Sequence, residues 1–395
     1  MISIAFTGGG TGGHIYPGLA IASWMEKQYP YRIFWIGSGA GMDRDLVERA
    51  GLEFFGVPSG KLRRYFSLRN FSDVFKVLAG FFAARRILKK EKPSLLFSKG
   101  GFVSVPPCAA AKSLKIPVFT HESDYSPGLA TRINTRFAEK IFLSYNESAA
   151  FFAGPAAAKL CVSGNPIREQ FRTAEPDKGR AFLGLGNDER ILLVLGGSLG
   201  SAEINDLVRA CLPELTRHYT VVHQTGEGSE QVSGDVPRYK PFAYFRDELP
   251  HIIAAAELVL CRSGAGTIWE CKSLKKPMVL IPLRGSGTRG DQVENARLFQ
   301  KKGAAICFIP AQAGDNAGDG AAGSAVGGTA GSANGSAAEL ARLIAALAQD
   351  PEKRRIMGEA KIADSVAGAP AGAIAGASAD AVVFIAEEIA KRLKE

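Results

Sequence analysis

The sequence predicts an α/β protein built from two doubly wound domains. Short, continuously apolar runs recur along the chain, and each is followed by glycines or a polar turn and then by a helical pattern. Continuous apolar strands that alternate with helices are typical of parallel sheets covered on both faces. The pattern restarts after the turn Gly164-Asn165-Pro166, and 395 residues are too many for one ordinary core. We therefore expect two such sheets in tandem.

The predicted strands fall into two series, one on each side of that turn. The first series is Ser3–Thr7, Arg32–Ile36, Leu95–Ser98 and Pro117–Thr120, and the second is Ile191–Leu195, Leu258–Cys261 and Met278–Ile281. In doubly wound sheets, ligands bind at the carboxyl ends of the strands. We therefore expect binding residues in the loops that follow these strands, with a cleft between the two domains as the site.

The same patterns predict the domain boundaries. Residues 1–163 are expected to form an N-terminal domain and residues 164–376 a C-terminal domain. Residues 311–338 hold ten Ala and eight Gly, which bury too little apolar surface to offset their ordering entropy, so this stretch predicts a flexible loop. Residues 377–395 contain an amphipathic helix, Ala381–Lys394, which is expected to pack on the N-terminal domain.

Charge and cysteine usage narrow the class of protein. Most of the net charge of +9 lies between Lys61 and Lys92, where ten basic residues stand against two acidic ones. One basic segment beside a very apolar helix is typical of proteins at an anionic membrane surface, whereas nucleic-acid-binding proteins spread basic residues over several elements. We therefore expect residues 61–90 to contact a membrane surface and expect no nucleic-acid partner. No run is long enough for a spanning helix, and the six scattered cysteines favour a reducing compartment.

Glycine-rich loops follow several of the predicted strands. Gly8, Gly10 and Gly13 have the spacing of a dinucleotide-binding loop, but the second strand ends without the acidic residue that would hold a ribose. The P-loop sequence is also missing. Taken together, the loops favour phosphate binding through backbone N–H groups and helix N-termini, although each alone is compatible with a tight turn. The loops are Gly8–Gly13, Gly100-Gly101, Gly196–Gly200 and Gly264–Gly266.

Three positions are candidates for proton transfer or ribose recognition. His14 closes the first glycine loop, where it has few packing duties, and the ordinary pKa range of histidine suits a general base. His121-Glu122 follows another predicted strand and is a competing acid–base pair, for which a structural role is favoured. Glu270 lies early in the helix after Gly264–Gly266, where a carboxylate can reach a ribose diol. It can equally be a solvated helix charge, and the sequence leaves both interpretations open.

Together these motifs resemble the MurG family of peptidoglycan glycosyltransferases. The stretches Gly8–His14, Ser98–Ser104 and Gly196–Ser201 are similar to the family's three glycine loops, and Gly164–Arg168, Cys261–Glu270 and Asp291–Ala296 are similar to its hinge and donor-site signatures. The resemblance covers almost the whole chain outside residues 311–338. It implies a GT-B fold and inverting transfer of N-acetylglucosamine from UDP-N-acetylglucosamine to the 4-hydroxyl of the muramoyl sugar of lipid I, giving lipid II. It also implies a peripheral protein at the cytoplasmic face of the cell membrane, with no cofactor and no active-site metal.

The resemblance implies roles for individual residues. His14 is the implied catalytic base, and Thr11, Gly12 and Gly13 line the site beside it. The other implied substrate-binding residues are Asp124, Arg168, Ser198, Arg246, Ala265, Gly266, Thr267, Ile268, Trp269, Glu270 and Gln292. Two departures concern sugar recognition, because the family often has Asn where Asp124 stands and Gln or His where Asp291 stands. Arg246 replaces a frequently aliphatic residue and is implied to contact the uracil through its backbone.

Two other kinds of function stay open at this point. Another GT-B enzyme, such as a glycolipid glycosyltransferase or a UDP-N-acetylglucosamine 2-epimerase, would share the donor-site pattern. A non-catalytic regulator that binds a UDP-sugar would need no base, so a candidate base at His14 argues against it.

Overall fold

The computed structural model describes residues 1–39, 41–60, 68–197, 200–229, 236–285, 288–311, 333–362 and 380–395. It forms two compact units. One is Met1–Glu169 with the C-terminal helix, and the other is Gln170–Ile362.

The first unit contains a seven-stranded parallel sheet in the order β3-β2-β1-β4-β5-β6-β7. Its strands are β1 (Ser3–Thr7), β2 (Arg32–Ser38), β3 (Glu53–Val57), β4 (Leu95–Ser98), β5 (Val118–Glu122), β6 (Lys140–Leu143) and β7 (Leu160–Val162). Its helices include α1 (Tyr16–Gln28), α2 (Asp43–Arg49), α3 (Leu68–Glu91), α4 (Val105–Ser113) and α5 (Leu129–Asn134). The chain winds away from β1 in one direction and then from β4 in the other, so the strand order reverses between these neighbours.

The second unit repeats this architecture with six parallel strands in the order β10-β9-β8-β11-β12-β13. Its strands are β8 (Ile191–Leu195), β9 (Thr220–Gln224), β10 (Tyr239–Phe242), β11 (Leu258–Cys261), β12 (Met278–Leu280) and β13 (Ala305–Cys307). Its helices are α6 (Pro176–Leu183), α7 (Ala202–His218), α8 (Leu249–Ala255), α9 (Ala265–Ser273), α10 (Asp291–Lys301), α11 (Ala333–Gln349) and α12 (Pro351–Glu359). The C-terminal helix of the chain, in the first unit, is α13 (Ala381–Lys394). None of the helices in the described part of the chain is both long and apolar enough to cross a bilayer.

Each sheet is covered on both faces, which explains its continuously apolar strands. In β1, Ile4 and Phe6 pack into one core with residues of α1 and α13, while Ala5 between them packs into another core with residues of α3 and α4. Side chains that alternate along a strand point to opposite faces, so both sets must be apolar when both faces are buried. The predicted pair of doubly wound sheets is therefore confirmed.

Helix α13 packs against α1 of the first unit. Its buried residues, Val382, Ile385, Ala386 and Ile389, belong to the same core as Ile4 and Phe6. The side chain of Asp380 caps the helix by accepting a hydrogen bond from the N–H of Val382 at 2.9 Å. This capped, one-sided apolar helix is therefore part of the N-terminal core.

The first unit extends to Glu169, beyond the expected boundary at residue 163. The segment Gly164–Asn165 is held by side chains at the end of β5, because the ring of His121 hydrogen-bonds to the carbonyl of Gly164 at 3.0 Å. Ser123 donates to Oδ1 of Asn165 at 2.7 Å. These contacts hold the segment Gly164–Glu169 against the first unit, and no sequence pattern predicts them.

The predicted loop at 311–338 ends earlier than the sequence suggested. Residues 312–332 lie outside the described residues, but 333–338 form the start of α11, so the prediction was wrong for them. Ala337 is buried, and Ser336 accepts a hydrogen bond from the N–H of Ala311 at 2.9 Å. Alanine has the highest helix propensity, and here it also packs into the core of the second unit.

This correction predicts where the chain tolerates change. Replacing Ala337 and Ala341 by Gly should lower the free energy of unfolding by about 1 kcal/mol per site, measured by urea denaturation. Composition alone predicts that a Gly/Ser linker in place of residues 312–332 leaves the midpoint unchanged. The reverse pattern, with a neutral double substitution and a destabilising linker, would refute this boundary.

Candidate active site

In the first unit, two glycine loops meet where the strand order reverses. Gly8–His14 follows β1 and Gly100-Gly101 follows its neighbour β4. Gly101 has φ +77°, and a Cβ atom there would lie 2.5 Å from the carbonyl oxygen of Gly9. Only glycine allows this approach, so the two loops form one continuous surface at the carboxyl edge of the sheet.

His14 lies on this surface and is half-buried. Its Nδ1 is 3.3 Å from the carbonyl oxygen of Lys99, which can only accept a hydrogen bond. Nδ1 therefore carries the proton of the neutral ring, and the lone pair lies on Nε2. Thr11, Gly12 and Gly13 precede it in the same loop, with Thr11 and Gly13 exposed. In this tautomer, Nε2 is the nitrogen that can accept a proton.

Asp43, at the start of α2, fixes the first glycine loop. Its carboxylate is buried and accepts hydrogen bonds from the N–H groups of Gly10 and Ser38, each at 3.0 Å. It also fills the space beside Gly9, where a Cβ atom would lie 2.0 Å from Oδ2. Because the N–H of Gly10 already donates to a negative carboxylate, a phosphate is disfavoured at that group. Phosphate binding by the other N–H groups of this loop stays a prediction.

Lys99 lies directly beneath the second glycine loop, with only 1% of its surface exposed. Its ammonium donates to the hydroxyl of Ser123 at 2.6 Å, and Ser123 donates in turn to Asn165. Burial lowers the pKa of Lys99 to about 8, against the opposing charges of Glu122 and Asp124. The sequence analysis missed this buried chain of polar groups, although a charged residue directly after an apolar strand is a usable signal.

His121 and Glu122 have the structural role that the sequence favoured. His121 is fully buried, and burial together with the charge of Lys99 lowers its pKa well below the usual range. Glu122 accepts hydrogen bonds from the N–H groups of Asp124 and Gly128, both at 3.1 Å, and so shapes the turn before α5. Asp124 itself is half-buried at the same carboxyl edge as His14.

Arg168 belongs to the first unit and contacts the start of α1. Its guanidinium lies 4.6 Å from the ring centroid of Tyr16, two residues after His14. A guanidinium over an aromatic face is a favourable arrangement that keeps the charge at the surface. Its predicted contact with the nucleotide stays a prediction.

The second unit has glycine loops at the corresponding position, after β8 and after its neighbour β11. In the loop after β8, Gly200 has φ +73°, and a Cβ atom there would lie 2.3 Å from the carbonyl oxygen of Thr225. Ser201 caps α7 by accepting from the N–H of Ile204 at 3.3 Å. Ser198, predicted to lie near the phosphates, is outside the described residues.

The loop after β11 leads into α9, whose N-terminus has no side-chain cap. Among the described residues, no group accepts a hydrogen bond from the N–H of Ala265, Gly266 or Thr267. Unpaired N–H groups and the positive end of the helix dipole together attract an anion. Binding of an anion at this helix start, which the glycine pattern predicted, stays a prediction.

Two residues of the predicted contact stretch take part in the packing of α9. Ile268 is fully buried and its N–H donates to the carbonyl of Gly264 at 3.2 Å, so its predicted contact with substrate stays a prediction that this burial does not favour. The ring of Trp269 packs edge-to-face on Phe299 of α10, with the centroids 6.3 Å apart. The apolar members of a helix that covers a sheet turn inward, which the motif alone does not reveal.

Arg262, directly after β11, joins three loop ends of this sheet. Its guanidinium donates to the hydroxyl of Ser201 at 2.6 Å and to the carboxylate of Glu203 at 2.7 Å, in the first turn of α7. It also donates to the carbonyl groups of Ile281 and Pro282, after β12, at 3.2 and 3.3 Å. The planar, multidentate guanidinium suits this task, and the sequence analysis did not single it out.

Gln292, Glu270 and Arg246 complete the predicted set. Gln292 is the second residue of α10 and is tied to the loop after β11, because the hydroxyl of Ser263 donates to its carbonyl at 2.7 Å. Its side-chain oxygen accepts from the N–H of Leu283 at 3.0 Å, which directs the remaining NH₂ group toward other partners. Glu270 is half-buried on α9. Arg246 is exposed, and its N–H donates to Glu248 at 3.2 Å, so a uracil would compete for that group.

Comparison with known families agrees with this geometry. The model of the glycosyltransferase family 28 N-terminal domain matches residues 4–143, and that of the family's C-terminal domain matches residues 191–313. The chain belongs to glycosyltransferase family 28. The two matched regions contain the glycine loops of the first and second unit respectively.

Relatives within family 28 are similar over most of their length. A UDP-N-acetylglucosamine–N-acetylmuramyl-(pentapeptide) pyrophosphoryl-undecaprenol N-acetylglucosamine transferase of Treponema denticola is 48% identical over 325 residues, which cover 77% of this chain and 83% of that protein. The enzyme of the same name from Staphylococcus carnosus is 43% identical over 315 residues, covering 79% and 86%.

Solved structures share the fold. The crystal structure of Acinetobacter baumannii MurG matches with a TM-score of 0.67 and 20% identity over 99% of this chain and 100% of that one. The UDP-N-acetylglucosamine 2-epimerase of Neisseria meningitidis matches with a TM-score of 0.64 and 12% identity over 99% and 100%. These structural matches show the GT-B fold. Their low sequence identities do not distinguish the two activities.

Proposed function

We propose that this family 28 enzyme transfers N-acetylglucosamine from UDP-N-acetylglucosamine to the 4-hydroxyl of the muramoyl sugar of lipid I, giving lipid II. The observation that carries the proposal is the 48% identity to a transferase of that name over 83% of its length. The 2-epimerases, in contrast, are similar only in fold, at 12% identity. The proposed reaction therefore adds one sugar to a lipid-linked precursor of peptidoglycan.

The second unit is the proposed donor site. The uncapped start of α9 holds the diphosphate through the N–H groups of Ala265, Gly266 and Thr267. Glu270, further along the same helix, accepts hydrogen bonds from the ribose hydroxyls, as a carboxylate can. Gln292 offers its side-chain NH₂ group to the sugar, since its oxygen is already used by Leu283.

The first unit supplies the proposed base. His14 Nε2 takes the proton of the acceptor 4-hydroxyl as that oxygen attacks the anomeric carbon. The bond from this carbon to the diphosphate breaks, and UDP leaves with the electron pair. One displacement on an α-linked donor gives a β-linked product. The carbonyl of Lys99 holds His14 in the required tautomer and stabilises the proton on Nδ1 as the ring becomes charged.

The leaving UDP gains negative charge. In this proposal, the N–H groups at the start of α9 stabilise that charge. Fixed N–H groups need no reorganisation as the charge develops, and this makes them effective in a transition state. Arg262 keeps the loop before α9 aligned with the first turn of α7 through Ser201 and Glu203. The proposed catalysis thus relies on His14 as the base and on the helix start of α9 for electrostatic stabilisation.

The reaction class is tested by following UDP release. We expect release only when UDP-N-acetylglucosamine and lipid I are both present, with UDP-glucose a poor donor. Release with the donor alone, together with formation of the 2-epimerised sugar, would contradict the proposal in favour of an epimerase.

The proposed acceptor is embedded in a membrane, and α3 carries a matching surface. Val74, Leu78 and Phe82 are 47%, 51% and 66% exposed, and their spacing of four residues places them on one ridge. Exposed Arg86 and Lys90 continue that ridge toward the end of the helix. We propose that this ridge contacts an anionic membrane at its cytoplasmic face. The basic residues at 61–69 predicted to assist lie outside the described residues or have undescribed side chains.

The aromatic residues of α3 differ in exposure. Phe75 is 60% exposed, and Leu78 and Phe82 are also exposed, but Phe81 is half-buried against the core beneath α3 and α4. Its ring packs edge-to-face on Phe82 with the centroids 5.3 Å apart. Phe81 is therefore a poor position for testing membrane contact, because its loss would also disturb packing.

A double variant tests the membrane surface. Phe82→Ser with Arg86→Glu should weaken binding to phosphatidylglycerol vesicles at least tenfold in co-sedimentation, since each basic residue near the surface contributes about 1 kcal/mol and the reversal adds repulsion. The matched control is Ile356→Ser with Lys353→Glu, which makes the same changes at exposed positions of α12. Equal loss in both variants, or none in the first, would place the contact elsewhere.

A further inference from the structure

Gln224 ends β9 and is 4% exposed. Its side-chain NH₂ group donates to the carbonyl of Gly197 at 3.0 Å, and its side-chain oxygen accepts from the N–H of Phe245 at 3.0 Å. Both ends of one buried amide are thereby used on backbone groups of two different loops. No sequence motif singled this residue out.

Both loops belong to the proposed nucleotide site. Gly197 is the second residue of the glycine loop Gly196–Gly200 after β8, and it has φ +94°, a conformation that glycine adopts without strain. Phe245 precedes Arg246, whose backbone is the proposed contact for the uracil. Phe245 is 1% exposed and packs on Phe242 with the ring centroids 4.8 Å apart.

Contacts of the residue after Gln224 also connect these two loops. Thr225, the next residue, donates its N–H to Phe242 on the uracil side at 2.9 Å. Its carbonyl accepts from the side chain of Asn205, in α7, at 2.9 Å and lies against Gly200. The two side-chain hydrogen bonds of Gln224 fix the position of the loop after β8 relative to the loop after β10.

We propose that Gln224 is a positioning residue that couples uracil recognition to diphosphate binding by holding Gly197 and Phe245 in a fixed register. This inference rests on the proposed donor site in the second unit. It predicts that nucleotide affinity depends on both halves of the amide, one donor and one acceptor, although Gln224 touches no ligand.

The substitution Gln224→Glu tests this directly, because its protonation state can be set. A protonated carboxylic acid keeps a donor for Gly197 and an acceptor for Phe245, whereas an ionised one turns an oxygen toward the Gly197 carbonyl. Burial raises the pKa of a carboxylic acid, so the protonated form is reached in mild acid. We expect this variant to bind UDP at least tenfold more weakly than wild type at pH 8 and to recover most of that loss at pH 5.5, by calorimetry. The loss is taken relative to wild type at each pH, because the terminal phosphate of UDP also titrates at about pH 6.

The control is Tyr239→Phe, which removes a buried hydrogen bond of 3.0 Å between Tyr239 and His223 on the neighbouring strand. It should lower the melting temperature while leaving UDP affinity within about twofold, which separates a general loss of stability from loop positioning. Affinity of Gln224→Glu equal to wild type at pH 8, or a folded variant without recovery at pH 5.5, would overturn the inference. A wild-type protein that fails to bind UDP would instead refute the donor site itself.

Discussion

Replacing His14 by Ala should lower the turnover number by about 10²–10⁴-fold, the usual contribution of a positioned base. The affinity for UDP-N-acetylglucosamine should be nearly unchanged, because His14 makes none of the proposed donor contacts. The loss arises in the chemical step, since the acceptor hydroxyl then attacks without a group to take its proton. Single-turnover kinetics with saturating donor and lipid I separates this step from binding.

The matched substitution is His218→Ala, at the C-terminal end of α7 in the second unit. His218 lies 3.5 Å from Glu214 and has no place in the proposed chemistry, so its removal should leave turnover within about twofold. If His14→Ala keeps turnover within a few-fold of wild type, another group is the base. The hydrogen bond between His14 and the carbonyl of Lys99 would then serve only to hold the loop.

Replacing Glu270 by Ala should weaken UDP and UDP-N-acetylglucosamine alike. The proposed contact is to the ribose, which both ligands share, and hydrogen bonds to a charged group contribute about 1.5–3 kcal/mol. This corresponds to a loss of about 10–150-fold in affinity, measured by calorimetry. The open choice between a ribose ligand and a solvated helix charge is decided by this experiment.

A ligand lacking one hydroxyl makes the test sharper. If Glu270 accepts from the 2′-hydroxyl, wild type should prefer UDP over 2′-deoxy-UDP, and Glu270→Ala should bind the two nearly equally. Such a double cycle isolates the pairwise contact from general effects on α9. Unchanged UDP affinity in the variant would make Glu270 an ordinary surface charge. Weaker UDP binding with an unchanged preference for UDP over the deoxy ligand would contradict the contact with the 2′-hydroxyl.

Much of the fold follows from the sequence because its central strands are buried on both faces. The runs Ile4–Phe6 and Ile191–Leu195 are continuously apolar, and in the structure they belong to β1 and β8, which are interior strands of the two sheets. The strands toward the edges were not anticipated. Glu53–Val57 and Tyr239–Phe242 contain charged residues, glycine or proline, because an edge strand needs less apolar surface and can tolerate a missing N–H group.

The site was predicted where a local pattern encodes it and missed where contacts come from distant segments. The helix start at α9 was predicted from Gly264 and Gly266, which lie two residues apart in the sequence. Asp43, Arg262 and Gln224 instead hold loops from other strands, and their partners lie between 5 and 61 residues away. Ile268 was assigned to substrate because it lies inside a motif, although the helical period turns it toward the core. A polar residue at the end of an apolar strand was the one signal available for Arg262 and Gln224.

The central claim, sugar transfer from a UDP donor to lipid I, is tested most directly by supplying UDP-N-acetylglucosamine with a radiolabelled sugar. The purified protein is mixed with lipid I in one reaction and with diacylglycerol in another, and the labelled lipids are separated and identified. We expect label in a single product of the lipid I reaction, with the new sugar β-linked to the muramoyl 4-position, and none on diacylglycerol. Label on diacylglycerol, an α-linked product or no transfer to lipid I at all would contradict the account.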